Sequence, residues 1–118
     1  MKIKFRHYRL VPSYIVGYKD NPFTLMKSSH GRNVVDCEDN PMSSHYLACG
    51  GATYVALYED GELMKEAVAF CHPNENFSRK LGREYALQYL DKGMPSNYNP
   101  PLVKFVDIPE ELKKFVNA

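Results

Sequence analysis

The first seven residues after Met1 alternate regularly. Ile3, Phe5 and His7 stand against Lys2, Lys4, Arg6 and Tyr8, the period-two pattern of a half-buried strand with a basic outer face. Tyr14 to Tyr18 reads as a second, shorter strand. From Lys19 to Ser44 the chain is polar and broken at Asn21-Pro22, His30-Gly31 and Asn40-Pro41, with apolar patches at Phe23 to Met26 and Val34-Val35, so a long excursion is expected there.

The clearest element is a hairpin, with strands Ala52 to Glu59 and Glu62 to Cys71 joined by Asp60-Gly61, a pair that accepts the two positive φ angles of a tight turn. A two-residue turn pairs Tyr58 with Leu63, Ala56 with Lys65, Tyr54 with Ala67 and Ala52 with Ala69 on one face. Val55, Leu57, Met64, Val68 and Phe70 fall on the other, an apolar area larger than one helix needs.

A helix is predicted from about Phe77 to Leu90, its apolar side carrying Leu81, Tyr85, Ala86, Tyr89 and Leu90. Ser78, Gly82 and Ala86 form a small-residue stripe that allows close approach to the alanine-rich hairpin. Lys92-Gly93-Met94-Pro95 ends the helix. Leu102 to Val106 is a short extended run, and Asp107-Ile108-Pro109-Glu110 has the form of a helix cap ahead of Leu112, Phe115 and Val116. Strands first and helices last predict an α+β fold in one domain over residues 1–118: an antiparallel N-terminal β-sheet with two C-terminal helices on one face.

Charge changes this picture at one place. Fifteen Lys and Arg against fourteen Asp and Glu leave a net charge of +1, so the footprint of a duplex nucleic-acid binder is missing and anion binding must be local. It concentrates at the start of the long helix, where Arg79, Lys80 and Arg83 occupy the first two turns. Basic residues there oppose the helix dipole and are disfavoured by roughly 0.3–1 kcal/mol each. A local rule broken without compensation marks a place to look for function.

Arg79 and Arg83, four apart, stack on one side, beside the outward N–H groups of the helix end. Paired guanidinium donors and the point charge of Lys80 suit a phosphate or pyrophosphate. Asn74 or Asn76 caps the helix, leaving the other to bond a base or ribose, and Phe77 offers a ring for stacking. The candidate ligand-binding residues are therefore Asn76, Phe77, Arg79, Lys80 and Arg83, against the plainer reading of a solvated face paired with Glu84 and Asp91.

Other constellations carry less. His45, Cys49, Cys71 and His72 match no compact zinc spacing, and no metal or cofactor is expected. Cys71 and His72 are neighbours on a strand and point to opposite faces, so they make a poor nucleophile and base, and no catalytic residue is assigned. Glu59, Asp60, Glu62 and Glu66 read as a solvated hairpin tip, and Gly50-Gly51 as a bend or bulge entering the hairpin. Three irregularly spaced cysteines, no signal peptide after Met1 and no membrane-length apolar run predict a cytoplasmic protein.

The run Ala69-Phe70-Cys71-His72-Pro73-Asn74-Glu75-Asn76-Phe77-Ser78-Arg79-Lys80-Leu81-Gly82-Arg83 resembles small phage and prophage proteins with an Asn-Phe-x-Arg-Lys-x-Gly-Arg motif. The resemblance covers Gly50 to about Leu90. Among such proteins the chain looks like the Thoeris anti-defence sponge family. That resemblance implies an N-terminal sheet, C-terminal helices and assembly through dimers, in the cytoplasm of an infected bacterial host. It also implies binding of a cyclic ADP-ribose-like or other cyclic nucleotide signal without cleavage, so not an enzyme. The alternative is a phage accessory protein binding a host protein or single-stranded nucleic acid through a basic edge of Lys2, Lys4, Arg6 and Arg9 with Tyr and Phe between them.

Overall fold

The computed structural model describes residues 1–16, 22–27, 46–94 and 106–116. Strand β1 (Lys2–Pro12) leads into a single helical turn, α1 (Ser13–Val16), then β2 (Phe23–Lys27), β3 (Cys49–Glu59) and β4 (Glu62–Asn76). Helix α2 (Arg79–Lys92), the short β5 (Val106–Asp107) and α3 (Glu110–Lys113) complete the order. The sheet runs β4-β3-β1-β2-β5. Its first four strands are antiparallel, and β5 adds a brief parallel pairing to β2, so the expected α+β class with helices at the C-terminal end holds.

Where Tyr14 to Tyr18 was expected to extend, α1 turns instead. Pro12 closes β1, the Ser13 N–H donates to the Pro22 carbonyl at 2.9 Å and the Ser13 hydroxyl lies 3.1 Å from that of Thr24, so the chain reverses here. The patch at Phe23 becomes β2; of the long excursion residues 22–27 are described, and Val34-Val35 and Cys37 lie outside the described residues, as do Gly17, His45 and Leu102.

The hairpin turn is as predicted, with φ of 52° at Asp60 and 81° at Gly61. Its register is not. Tyr58 faces Leu63, but Leu57 then faces Lys65, Ala56 faces Glu66, Tyr54 faces Val68 and Ala52 faces Phe70, because a bulge takes up Met64. The shift decides which side chains lie under α2. Ala67 and Ala69 join Val55 beneath Ala86, whereas Val68 joins Tyr8, Leu10, Leu25 and Ala52 on the opposite face. Val55, Leu57, Val68 and Phe70 therefore do not share one apolar face.

Small residues under the helix explain its close seat: a methyl on Gly82 would overlap the Thr53 side chain. The predicted stripe thus functions as a contact surface, with Ala86 fully buried.

The two helices do not share a face. Alpha-2 covers Val55, Ala67 and Ala69, while Leu112 and Phe115 of the α3 segment pack against the core around Tyr8, Ala52 and Val68. Because the sheet is apolar on both sides, one helix cannot cover it. Met94 bridges the two clusters around the β4 edge, where its Sδ accepts the Val68 N–H at 3.4 Å.

The predicted Asp107 cap is also replaced. Asp107 is still paired in β5 with Thr24, so the helix starts later, at Glu110, with Pro109 in the cap position and no side-chain cap hydrogen bond. Among the described residues no helix is long and apolar enough to cross a membrane.

Candidate functional site

Helix α2 begins where β4 overruns its partner. Cys49 pairs with Asn76 and Gly51 with Cys71, so His72 to Glu75 bow out of the ladder opposite Gly50. Positive φ at Gly50 (76°) and Gly51 (139°) makes the bend that the paired glycines predicted. Phe77 then docks through its N–H onto the Ala48 carbonyl at 2.9 Å, with its ring in the space a side chain at position 51 would need.

Neither expected asparagine caps the helix. Ser78 does, with extended φ and ψ of −130° and 121°, its hydroxyl accepting the Leu81 N–H at 3.2 Å. The Asn74 N–H donates to His72 Nδ1 at 3.0 Å, and Asn76 Oδ1 accepts the Cys49 thiol at 3.4 Å. Asn74 lies in the bowed-out stretch and Asn76 is the last paired residue of β4 with its side chain on Cys49, so the cap falls to the next hydroxyl along the chain.

The helix start is as cationic as its sequence implies, with no acidic residue in the first turn. A further cation comes from β1. The Arg9 guanidinium lies over the Phe77 ring, 4.7 Å from its centroid, and donates to the Leu47 carbonyl at 2.7 Å. Burial, and after it the positive charge of Arg79, lowers the pKa of Arg9. Its buried Nε makes no hydrogen bond, and no carboxylate pairs with Arg9 among the described residues. His7 meets the edge of Phe77, ring centroids 5.9 Å apart at 80°, and its Nδ1 lies 3.1 Å from the Thr53 hydroxyl.

Beside this cluster a groove of about 110 Å³ opens between β4 and α2, bordered by Cys71, Asn76, Phe77, Leu81 and Tyr85, with Thr53 below. Of the five predicted ligand residues, Asn76 and Phe77 line it. Arg79 stands near Arg9, whereas Lys80 and Arg83 are exposed on α2 outside the lining. The sequence groups Arg9 with the basic edge of Lys2, Lys4 and Arg6. Its odd number, shared with His7 and not with Lys4 or Arg6, was the signal that it faces α2.

The remaining constellations separate. The Cys71 thiol points at the backbone carbonyls of Glu75 and His72, at 3.5 and 3.6 Å, and burial pushes its pKa up, which disfavours the thiolate. The His72 ring is engaged by Asn74, so the two do not form a nucleophile and base. Among the described residues no three His, Cys, Asp or Glu side chains gather to hold a metal. Glu66 departs from the acidic hairpin tip: it is half-buried, pairs with Lys114 and receives the Tyr54 hydroxyl at 3.4 Å. No family model matches the chain, and no characterised protein or solved structure is significantly similar to it.

Proposed function

We propose that the protein binds a small phosphorylated nucleotide of the cyclic ADP-ribose type at the start of α2 and sequesters it without cleavage. One observation carries this reading: the Arg9 guanidinium, brought in from β1, lies over the Phe77 ring within electrostatic reach of Arg79, at a helix end that has no acid in its first turn. Like charges and a helix dipole oppose each other there, and an anionic ligand relieves both. The resemblance of Asn76 to Arg83 to phage sponge proteins supplies the nucleotide class.

The groove of about 110 Å³ is smaller than the roughly 300–1,000 Å³ of a pocket that encloses a whole small molecule. It suits a base or ribose, with phosphates outside on the arginines. A site shared between two copies of the chain completes such an enclosure. Leu81 and Tyr85, 50% and 53% exposed at the groove's rim, offer the apolar contact for it. The raised pKa of the Cys71 thiol favours binding over covalent chemistry.

A thermal-shift panel of cyclic mononucleotides, cyclic dinucleotides, ADP-ribose and cyclic ADP-ribose tests the reading. A true ligand at a hundred times its dissociation constant adds about 2.7 kcal/mol of stability. Arg79→Gln is expected to weaken that ligand at least about tenfold, the loss of one charge-assisted contact, and chromatography of the released ligand should return it unaltered. Absence of a shift with every member of the panel overturns the proposal.

A further inference from the structure

The opposite face of the sheet holds a second cationic surface, independent of the nucleotide reading. Lys2, Lys4 and Arg6 project from β1 on the α3 side, in register with Tyr58, Ala56 and Tyr54 of β3. Lys4 Nζ lies 5.2 Å from the centroid of the Tyr58 ring. Small Ala56 between the two tyrosines leaves a shallow groove of about 340 Å³, walled by Tyr54 and Tyr58 and edged by Lys4 and Arg6.

We infer that this groove binds single-stranded nucleic acid. Residues two apart on a strand stand about 6.8 Å apart along the backbone, so Lys4 and Arg6 at the groove, with Lys2 beyond its end, make a row of positions suited to successive phosphates of an extended strand. Tyr58 supplies a ring on which a base stacks, and stacking tolerates any sequence. Its present companion, Lys4, is exposed, and moves from ring to phosphate without loss of a buried contact. The acids bordering the groove's inner end are engaged: Glu66 by Lys114, and Glu111 by the Tyr8 hydroxyl at 2.6 Å. Tyr54 is pinned edge-on to Phe115, centroids 6.1 Å apart, and acts as a wall. A nearly neutral protein with a short row of three cations fits a single strand better than a duplex, whose grooves a flat sheet does not enter.

Fluorescence anisotropy with labelled oligo-dT and oligo-rU of about ten nucleotides tests this on the full chain. Binding at low salt is expected, with log K falling against log salt at a slope of about −2, three phosphates at roughly 0.7 each. Lys4→Gln with Arg6→Gln should abolish it at physiological salt. Tyr58→Ala should weaken it at least about fivefold, and Tyr58→Phe, which keeps the ring, should not. Lys92→Gln, at the far end of α2, should leave it unchanged, and circular dichroism should show each variant folded. No binding at low salt overturns the inference, as does binding that survives the double variant or lacks the salt slope. Equal binding of polyglutamate, insensitive to Tyr58, assigns the surface to an acidic protein partner and overturns it too.

Discussion

Arg6 and Arg9 stand three residues apart on one strand and end in different chemistry. Arg6 lies on the open end of one sheet face, beside Tyr8, Tyr54 and the exposed lysines. Arg9 lies on the other face among His7, Phe77 and Arg79, with its charge part-buried and its pKa lowered. Charge density along β1 groups them; strand parity separates them. The odd face pairs cations with the aromatic ring at a helix start, and the even face lines them up along a shallow groove. One strand thereby presents two cationic surfaces of different shape.

The odd face depends on backbone room, so the largest effect is expected from filling it. Gly51→Ala places a methyl against the Tyr8 carbonyl and the Phe77 ring at a φ of 139°, which should cost about 2–4 kcal/mol in urea unfolding. The same change should release Phe77 from Arg9 and weaken nucleotide binding while leaving the Tyr58 groove intact in the folded fraction. A smaller loss follows from Gly82→Ala. Overlap with Thr53 outweighs the better helix propensity of alanine, for a net of about 1–2 kcal/mol. A stability unchanged by Gly82→Ala would mean that α2 sits farther from the sheet than described.

The even face shows itself in alkali. Burial first, and then Glu66, pushes the Tyr54 phenol up to about 12 from an ordinary value of 10.0. The folded state therefore holds its proton more tightly than the unfolded one. The stability this contributes is complete below about pH 10 and is lost as pH rises through about 12. Phenolate absorbance should show Tyr54 titrating late, and Tyr54→Phe should flatten that part of the stability profile. The smallest effect sharpens the comparison most: Lys80→Gln, at an exposed position in the acid-free first turn of α2, should raise stability by about 0.3–1 kcal/mol by removing a charge that opposes the helix dipole. An unchanged or lower stability would show that the cationic start of α2 is not in conflict with the dipole.

Local signals were legible where local chemistry decides. Asp60-Gly61 specified its turn, Gly93 the end of α2, and the Ser78-Gly82-Ala86 stripe a helix seated close to the sheet. The cations at the start of α2 were visible for the same reason, since helix polarity is a property of the segment alone. The bulge at Met64 was not. Spacing from the turn predicts an unbroken ladder, and the slip is favoured by what lies above and below the strand: small Ala67 and Ala69 under α2, and Val68 in the larger core with Tyr8 and Leu112.

The same limit applies to the candidate site. By itself the sequence determined the alternation of β1, the hairpin turn, the long helix after the hairpin and the acid-free start of α2, because each follows from neighbours within a few residues. Tertiary structure decided the rest. It set the hairpin register, placed the two helices on opposite faces, gave the cap to Ser78 and brought Arg9 to Phe77 from a strand nearly seventy residues earlier. Those outcomes depend on which surfaces must be covered and how closely they can pack, quantities that exist only once the sheet has formed.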